Sequence, residues 1–259
     1  VLKNALVDMY AKCGVLSKAQ RLLDEAPNRN VVSWNSLISG YVQEGQYHKA
    51  LNCFDRMQSE GHNPDVVTFS CILNACGSIG DIEKGEQIHK EIVNRSLLAK
   101  SIVLGTSLVD MYAKCGHLVK AHSVLDQIFI RDVVSWSVLI AGYTLHGQGH
   151  DAMNCFESMQ IEGVCPDVIT FITVLKACGS IESLERGEKI HDDIVMRGLL
   201  DKDDSLANAL VDMYGKCGAL TKALQVHNEL QVQNVSSWNA LISGYVQHNQ
   251  GHEALHCFE

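Results

Sequence analysis

The sequence predicts an all-α fold, an α-solenoid of stacked helix-turn-helix repeats. Three observations support it: the chain repeats itself at an offset of 102 residues, its apolar residues follow helical spacing, and glycine or proline follows the helical segments. Small units that recur at a fixed period cannot bury their apolar faces alone, so they stack on their neighbours. We therefore expect the 259 residues to form one elongated body.

The long repeat is visible in two sequence blocks. The dipeptide Ser-Trp occurs at 33–34, 135–136 and 237–238. The block Val-Asp-Met-Tyr-Ala-Lys-Cys-Gly occupies 7–14 and returns unchanged at 109–116, and the copy at 211–218 differs only by Gly215. Because such identity marks an array, each residue has to be judged by its position in the repeat unit.

Residues 31–65 contain two predicted amphipathic helices. Apolar residues recur at i, i+3, i+4, i+7 and i+8 or close to that pattern. They are Trp34, Leu37, Ile38, Tyr41 and Val42 in the first helix, and Tyr47, Ala50, Leu51, Phe54 and Met57 in the second. Gly45 lies between the helices and Pro64 follows the second, where it blocks continuation. The unit is therefore a helical hairpin.

The 102-residue block divides into three hairpins of different length. They are 31–65 with 35 residues, 66–101 with 36 and 102–132 with 31. The same order returns at 133–167, 168–203 and 204–234, between a nearly complete short unit at 1–30 and a truncated unit at 235–259. Stacking should form a superhelix whose inner groove, lined by the first helices, is the working surface.

Composition excludes several classes of protein. The formal charge of −9 argues against nucleic-acid binding by bulk electrostatics, so such binding would have to be local and directed at bases. No stretch approaches the roughly 18 apolar residues of a membrane span. Since the chain starts at Val1 and stops within a repeat, we expect a fragment from which a targeting peptide could have been lost.

The ten cysteines follow the repeat and do not suggest a disulfide set. They form columns at equivalent positions, with no Cys-x-x-Cys spacing. The columns are Cys13, Cys115 and Cys217; Cys53, Cys155 and Cys257; and Cys76 and Cys178. We expect them to be small apolar packing residues in a reducing compartment.

Three motifs imitate enzyme sites. Residues 252–256 match the zinc-protease pattern HExxH, but the counterparts at 48–52 and 150–154 do not. His89 and Glu91 fit half of a zinc deaminase site, but the Pro-Cys-x-x-Cys half is absent and the histidine recurs as His191. Residues 147–152 imitate a dinucleotide-binding turn but join two helices. The sequence predicts no catalytic residue, metal site or cofactor.

Two repeat families fit hairpins of this size. Trp34 and Leu37, with Tyr41, Ala50 and Phe54, are similar to the tetratricopeptide repeat, a peptide-binding scaffold. That pattern has glycine after the leucine, where this chain has isoleucine, and its units do not cycle through three lengths. A tetratricopeptide-like scaffold is therefore the alternative hypothesis.

Residues 31–41, Val-Val-Ser-Trp-Asn-Ser-Leu-Ile-Ser-Gly-Tyr, closed by Asn63-Pro64-Asp65, closely resemble the pentatricopeptide repeat. The resemblance covers the whole chain. Residues 208–218 and 175–179 resemble the S and L variants of the land-plant PLS subclass, so the unit order is S-P-L-S-P-L-S-P. The resemblance implies a right-handed superhelix that binds single-stranded RNA in chloroplasts or mitochondria. Most such proteins direct cytidine-to-uridine editing, with other editing factors as partners.

By this resemblance, the fifth and last residues of each unit select the base. Asn35 with Asp65 implies uridine. The pairs that imply guanine are Thr106 with Asp132 and Ser137 with Asp167, and the pairs that imply a pyrimidine are Asn4 with Asn30 and Asn208 with Asn234. Asn239 in the truncated unit has lost its partner. The L units, with Ser70 and Ser101 and with Ile172 and Asp203, are interpreted as spacers.

Two further positions are carried over from the family. The second residue of each unit stacks on a base, and it is Val1, Val32, Val67, Val103, Val134 or Ile169. Ser205 and Ser236 interrupt this row. A lysine near the end of the first helix of each S unit faces the phosphate backbone, at Lys12, Lys114 and Lys216. Ordinary hairpin packing for the valines, and solvated lysines at a helix C-terminus, are the alternatives.

Overall fold

A computed structural model describes residues 2–26, 29–200, 204–230 and 233–257. Within these ranges the regular structure is helical, with sixteen α-helices and one short 3₁₀ helix at Leu98–Lys100. The chain forms two compact units, Val1–Arg131 and Asp132–Glu259. None of the helices in the described ranges is long and apolar enough to cross a membrane.

Helices α1 to α8 belong to the first compact unit. In chain order they are Leu2–Lys12, Leu16–Asp24, Val31–Gln43, Tyr47–Ser59, Val66–Ile79, Ile82–Asn94, Ile102–Lys114 and Leu118–Gln127. Helices α9 to α16 belong to the second, at Val133–Leu145, Gly149–Ile161, Val168–Ser180, Leu184–Met196, Asp204–Lys216, Leu220–Glu229, Val235–Gln247 and Gly251–His256. Within each compact unit, consecutive helices pair as hairpins, and each second helix that has a following hairpin in its unit also packs on the first helix of that hairpin. The prediction of an all-α fold of stacked hairpins is confirmed.

The difference in repeat length resides mainly in the second helix. In the short repeats this helix has 9 residues in α2 and 10 in α8 and α14. In the longer repeats it has 13 residues in α4, α6, α10 and α12. The first helices are nearly constant in length. Within each compact unit they form the layer through which neighbouring hairpins contact each other directly.

The predicted apolar stripes form the core of each hairpin. Trp34 in α3 and Phe54 in α4 are buried, with 0% and 1% of their surface exposed. Phe54 also packs against Phe69 of the next hairpin, with ring centroids 6.3 Å apart. The equivalent pair Phe156 and Phe171 lies at 6.2 Å. Full burial of one such side chain stabilises the fold by about 1.5–3 kcal/mol, so each hairpin depends on the next one for its core.

Two glycines show why the hairpins close and stack. Gly45 ends α3 at φ +68°, a conformation that side chains rarely adopt, so the chain can turn directly into α4. Gly244 in α15 lies against Gly215 in α13, where a Cβ atom would stand 2.8 Å from the Gly215 Cα. The two first helices can approach this closely only because both positions lack a side chain.

The cysteine columns behave in two ways. Cys53, Cys155, Cys76 and Cys178 are buried, as expected of packing residues, and burial raises the pKa of the Cys76 and Cys178 thiols to about 12. The third column differs, because Cys13 is exposed and Cys115 and Cys217 are half-buried. That part of the prediction was wrong: these cysteines follow the last residue of a first helix, where the chain turns at the surface.

Candidate nucleic-acid interface

An exposed aliphatic side chain marks the first turn of successive first helices. In the first compact unit, Val32, Val67 and Val103 are 65%, 53% and 59% exposed. In the second, Val134 and Ile169 are 52% and 67% exposed. These side chains lie on the surface and not in the hairpin core, although their neighbours in the same helices are buried. Val1 lies outside the described residues, and the two serines that interrupt the row, Ser205 and Ser236, are also exposed.

The structure joins Asn35 and Asp65 directly. The Asn35 Nδ2 amino group donates to Asp65 Oδ1 at 2.9 Å and to Oδ2 at 3.1 Å. The Asn35 Oδ1 atom accepts from the Thr68 hydroxyl at 2.6 Å, and Thr68 Oγ1 also lies 2.9 Å from Asp65 Oδ1. Burial alone would raise the pKa of Asp65, but hydrogen bonds from the Thr68 backbone, Asn35 and the Thr68 hydroxyl lower it overall. Asp65 is therefore an anion that accepts hydrogen bonds.

Ser137 and Asp167 are connected through a third residue. Ser137 Oγ lies 2.6 Å from Thr170 Oγ1, and the Thr170 hydroxyl donates to Asp167 Oδ1 at 2.6 Å. Ser137 Oγ also lies 2.6 Å from the carbonyl oxygen of Val133, one turn earlier in α9. A threonine thus bridges the fifth and last residues here, in the place where Thr68 contacts Asn35 and Asp65.

Asn4 with Asn30, and Asn208 with Asn234, are not brought together in this way. Asn4 and Asn208 are half-buried in α1 and α13, and the structure shows no hydrogen bond from Asn4 to Asn30 or from Asn208 to Asn234 among the residues it describes. Thr106 is half-buried in α7, and Asn239 is exposed in α15. In the first L unit, Ser70 is half-buried and its Oγ atom has no hydrogen-bond partner within the described ranges. In the second, Ile172 is half-buried, and Asp203 lies outside the described residues.

The last residue of a unit has a second role that we did not predict from the sequence. Each described one caps the first helix of the next unit, where its side chain accepts from the backbone N–H of the third helical residue. These caps are Asn30, Asp65, Ser101, Asp132, Asp167 and Asn234. The signal was present, because Asn, Asp or Ser directly precedes each predicted apolar helix.

The three lysines at the ends of first helices are paired with aspartates. Lys12, Lys114 and Lys216 each place Nζ 2.7 Å from a carboxylate one turn earlier, that of Asp8, Asp110 and Asp212. The pKa of Asp8 is lowered by its hydrogen bonds from Lys12 and Ser36. The spacing Asp-Met-Tyr-x-Lys places the two charged groups on one face of the helix, so this pairing was predictable from the sequence.

Comparison with known proteins decides the family. A model of the PPR repeat family matches residues 29–78 and 131–180, and a PPR repeat model matches 1–31, 67–97, 106–132, 206–235 and 236–259. The chain belongs to the pentatricopeptide repeat family. This confirms the predicted family over the tetratricopeptide alternative.

The relatives of this pentatricopeptide repeat chain are plant proteins. A chloroplastic pentatricopeptide repeat-containing protein of Arabidopsis thaliana is 40% identical over 258 residues, which is 100% of this chain and 32% of the relative. A mitochondrial one from the same plant is 37% identical over 246 residues, covering 95% of this chain and 24% of the relative. The chain spans about a third or less of the length of these two relatives.

Solved structures of the pentatricopeptide repeat protein PPR10 share the fold. The crystal structure of PPR10 from maize aligns with a TM-score of 0.80 at 20% identity, over 98% of this chain and 37% of that one. PPR10 in complex with an 18-nt psaJ RNA element aligns with a TM-score of 0.81 at 20% identity, over 99% and 39%. The α-solenoid fold predicted from the repeats is therefore confirmed.

The motifs that imitate enzyme sites are parts of ordinary pentatricopeptide hairpins. Residues 252–256 lie in α16, and no three His, Cys, Asp or Glu residues within the described ranges are placed to hold a metal ion. His89 contacts the hydroxyl of Tyr112 through Nδ1 at 2.9 Å, and His191 contacts Tyr214 at 2.8 Å. His89 and His191 occupy the same position of the repeat, and each makes the same contact with a tyrosine.

Proposed function

We propose that this chain binds single-stranded RNA in a sequence-specific manner, with one base selected by each P or S unit. The observation that carries the proposal is the hydrogen bond of 2.9 Å between Asn35 and Asp65. In the chain, the exposed Val32 lies three residues before Asn35, and the exposed Val67 lies two residues after Asp65. Exposed aliphatic groups can contact the faces of a base while a polar pair contacts its edge. The family and the RNA-bound PPR10 structure support the same function.

The chemistry of each pair suggests a base. One N–H of Asn35 shared between the two Asp65 oxygens, together with the hydrogen bond from Thr68, leaves one N–H donor and one lone pair of Oδ1 for a ligand. A uracil edge offers the complementary N–H and carbonyl groups. In the family pattern, the register from 5′ to 3′ is pyrimidine, U, any, G, G, any, pyrimidine, pyrimidine.

Conversion of one pair into the other tests the function. The substitution Ser137→Asn gives the second P unit the same three residues, Asn, Asp and Thr, as the first. We expect the base preferred at its register position to change from guanine to uridine in RNA selected from a randomised library. Ser158→Asn, on the second helix of the same hairpin, is the matched control and should change no preference. An unchanged guanine preference in Ser137→Asn would overturn the base assignment.

The finer proposal is that the chain is the specificity portion of a PLS-subclass editing factor in a chloroplast or mitochondrion. It rests on the order of the S, P and L units, and on relatives named chloroplastic and mitochondrial. The cytidine deamination would be supplied outside these residues, with other editing factors as partners. Sequencing of organellar transcripts from plants lacking the protein tests it. Loss of editing only at cytidines near RNA that matches the register supports the proposal, whereas unchanged editing throughout contradicts it.

A further inference from the structure

The third residue of the first helix differs with the kind of unit that precedes it. After a P unit it is threonine, at Thr68 and Thr170. After an S unit it is serine, at Ser33, Ser135 and Ser237, and after an L unit it is leucine, at Leu104 and Leu206. This position lies one helical turn after the capping residue, next to the fifth residue of the preceding hairpin.

The two threonines use their hydroxyl groups on the base-selecting pair. Thr68 Oγ1 donates to Asn35 Oδ1 at 2.6 Å across 33 residues of sequence, and it is fully buried. Thr170, also fully buried, lies 2.6 Å from both Ser137 Oγ and Asp167 Oδ1. The same contact occurs in both compact units, each time between a P unit and the L unit that follows it.

Among the described residues, Ser33 and Ser237 use the hydroxyl at this position on their own caps instead. Ser237 donates its hydroxyl to the backbone oxygen of its own capping residue, Asn234, at 2.8 Å. The Oδ1 atom of Asn208 in the preceding unit is buried and has no hydrogen-bond partner in the described part of the chain. Ser33 likewise donates to the Asn30 backbone oxygen at 2.8 Å. A leucine at this position has no hydroxyl to offer, and the hydroxyl of Ser70, ahead of Leu104, is one of the buried groups without a partner.

We propose that Thr68 and Thr170 are positioning residues that determine which groups of Asn35 and Ser137 face the RNA base. The inference rests on the proposed function. The L units would then act on the base specificity of the P units before them, and not only as spacers.

The donor and acceptor requirements explain how the positioning works. The ionised Asp65 carboxylate can only accept, so the Asn35 amino group must face it, and Thr68 holds the amide oxygen at the other end. The amide cannot flip without placing its oxygen against a carboxylate. The Thr170 hydroxyl donates to Asp167, and Ser137 shares its single hydroxyl hydrogen between Thr170 Oγ1 and the carbonyl oxygen of Val133, so the lone pairs of Ser137 Oγ remain for the N–H donors of a guanine edge.

The first test removes the hydroxyl and keeps the shape. For Thr68→Val we expect the preference for uridine over cytidine at that register position to fall by about threefold to tenfold, the effect of one hydrogen bond. Preferences at the other positions should be unchanged. Thr170→Val should relax guanine selection at the Ser137 position in the same assay, a selection from RNA randomised at the predicted register.

Two further variants separate positioning from stability. Ser33→Ala removes a capping hydroxyl at the matched position and should leave base preference unchanged, because the bonds of that hydroxyl within the described residues are to the Asn30 backbone. Ser237→Thr should supply the missing donor to Asn208 Oδ1 and sharpen base selection at that position by about threefold or more. Circular dichroism of every variant reports folding, and if Thr68→Val does not fold, Thr170→Val and Ser237→Thr decide.

The outcomes distinguish this inference from the proposed function. If the unchanged chain shows no base preference at any position, the proposed function fails. If the unchanged chain is selective and the threonine variants keep its preferences, or lose affinity equally for all sequences, the positioning role is overturned. A preference lost at one position and kept at its neighbours supports it.

Discussion

At the scale of single residues, the three lysines that we predicted to face RNA phosphates form ion pairs with aspartates of the same helix. Lys114 is 39% exposed, but its ammonium group lies 2.7 Å from Asp110, and Lys12 and Lys216 are paired in the same way. Surface ion pairs of this kind contribute at most about 1 kcal/mol, so an RNA phosphate could compete for the lysine. The aspartates therefore limit the attraction of an already acidic chain for RNA.

Removal of one aspartate should strengthen RNA binding. In Asp110→Asn, Lys114 loses its carboxylate partner and keeps only the hydrogen bond of 3.4 Å to Asn74 within the described residues, and one negative charge is removed. We therefore expect affinity to rise by about twofold to fivefold, with no change in base preference. Titration of a matching and a scrambled RNA at low salt measures both effects. Asp126→Asn removes the same charge from α8 and is the control. An equal increase in both variants would show that only net charge matters.

At the scale of helices, equivalent positions of the array differ in how well they are capped. Asp81 caps α6, with its side chain accepting from Lys84 N at 3.0 Å. Its counterpart 102 residues later, Ser183, makes no side-chain capping bond to α12. Because the two helices have the same length and neighbours of the same type, the pair isolates the contribution of one cap.

The capped helix should be the more sensitive to alanine. We expect Asp81→Ala to lower the free energy of unfolding by about 1 kcal/mol, the typical value of a lost N-cap. Ser183→Ala should cost less than half as much, because no capping bond is lost. Urea unfolding followed by circular dichroism measures both. Equal losses in the two variants would mean that the cap is not the cause.

At the scale of the whole molecule, two half-buried histidines and one buried histidine link folding to pH. Burial lowers the pKa of His89, His191 and His227 from the usual 6.5. Burial raises the pKa of Tyr112 and Tyr214 to about 12, so each tyrosine keeps its proton and can donate it to the neutral imidazole of His89 or His191. His227 is fully buried against Trp238, and neither ring nitrogen has a partner in the described ranges.

The chain should lose stability as pH falls below 6.5. Folding favours the neutral histidines, so their contribution is complete above the unfolded pKa of 6.5 and decreases as pH falls toward the lower folded values. Urea unfolding at about pH 7.5 and about pH 5.5 measures the difference. His89→Gln with His191→Gln should reduce this dependence, whereas His150→Gln, at an exposed position, should not. A pH dependence unaffected by the double variant would contradict the assignment.

The repeat by itself determined most of this protein. Apolar spacing and the positions of glycine and proline predicted the hairpins, because helix formation and its breaks depend on neighbours within a few residues. The row from Val32 to Ile169 was identified through the family resemblance, and its similar exposure in successive units follows because a residue at one position of an array meets the same surroundings in each unit. The pairing of Lys114 with Asp110 was equally readable.

Only the tertiary structure decided what the residues proposed to select bases contact. Thr68 reaches Asn35 across 33 residues, and Ser237 turns away from Asn208 to its own cap, although both occupy the third position of a first helix. Sequence position cannot distinguish them, because the choice depends on the side-chain rotamer and on how closely two first helices pack. For the same reason Cys13 is exposed, while Cys53, also aligned with the repeat, is buried. The periodic pattern of apolar residues depends on neighbours within one helix, whereas the hydrogen-bond partner of a hydroxyl depends on how two hairpins pack.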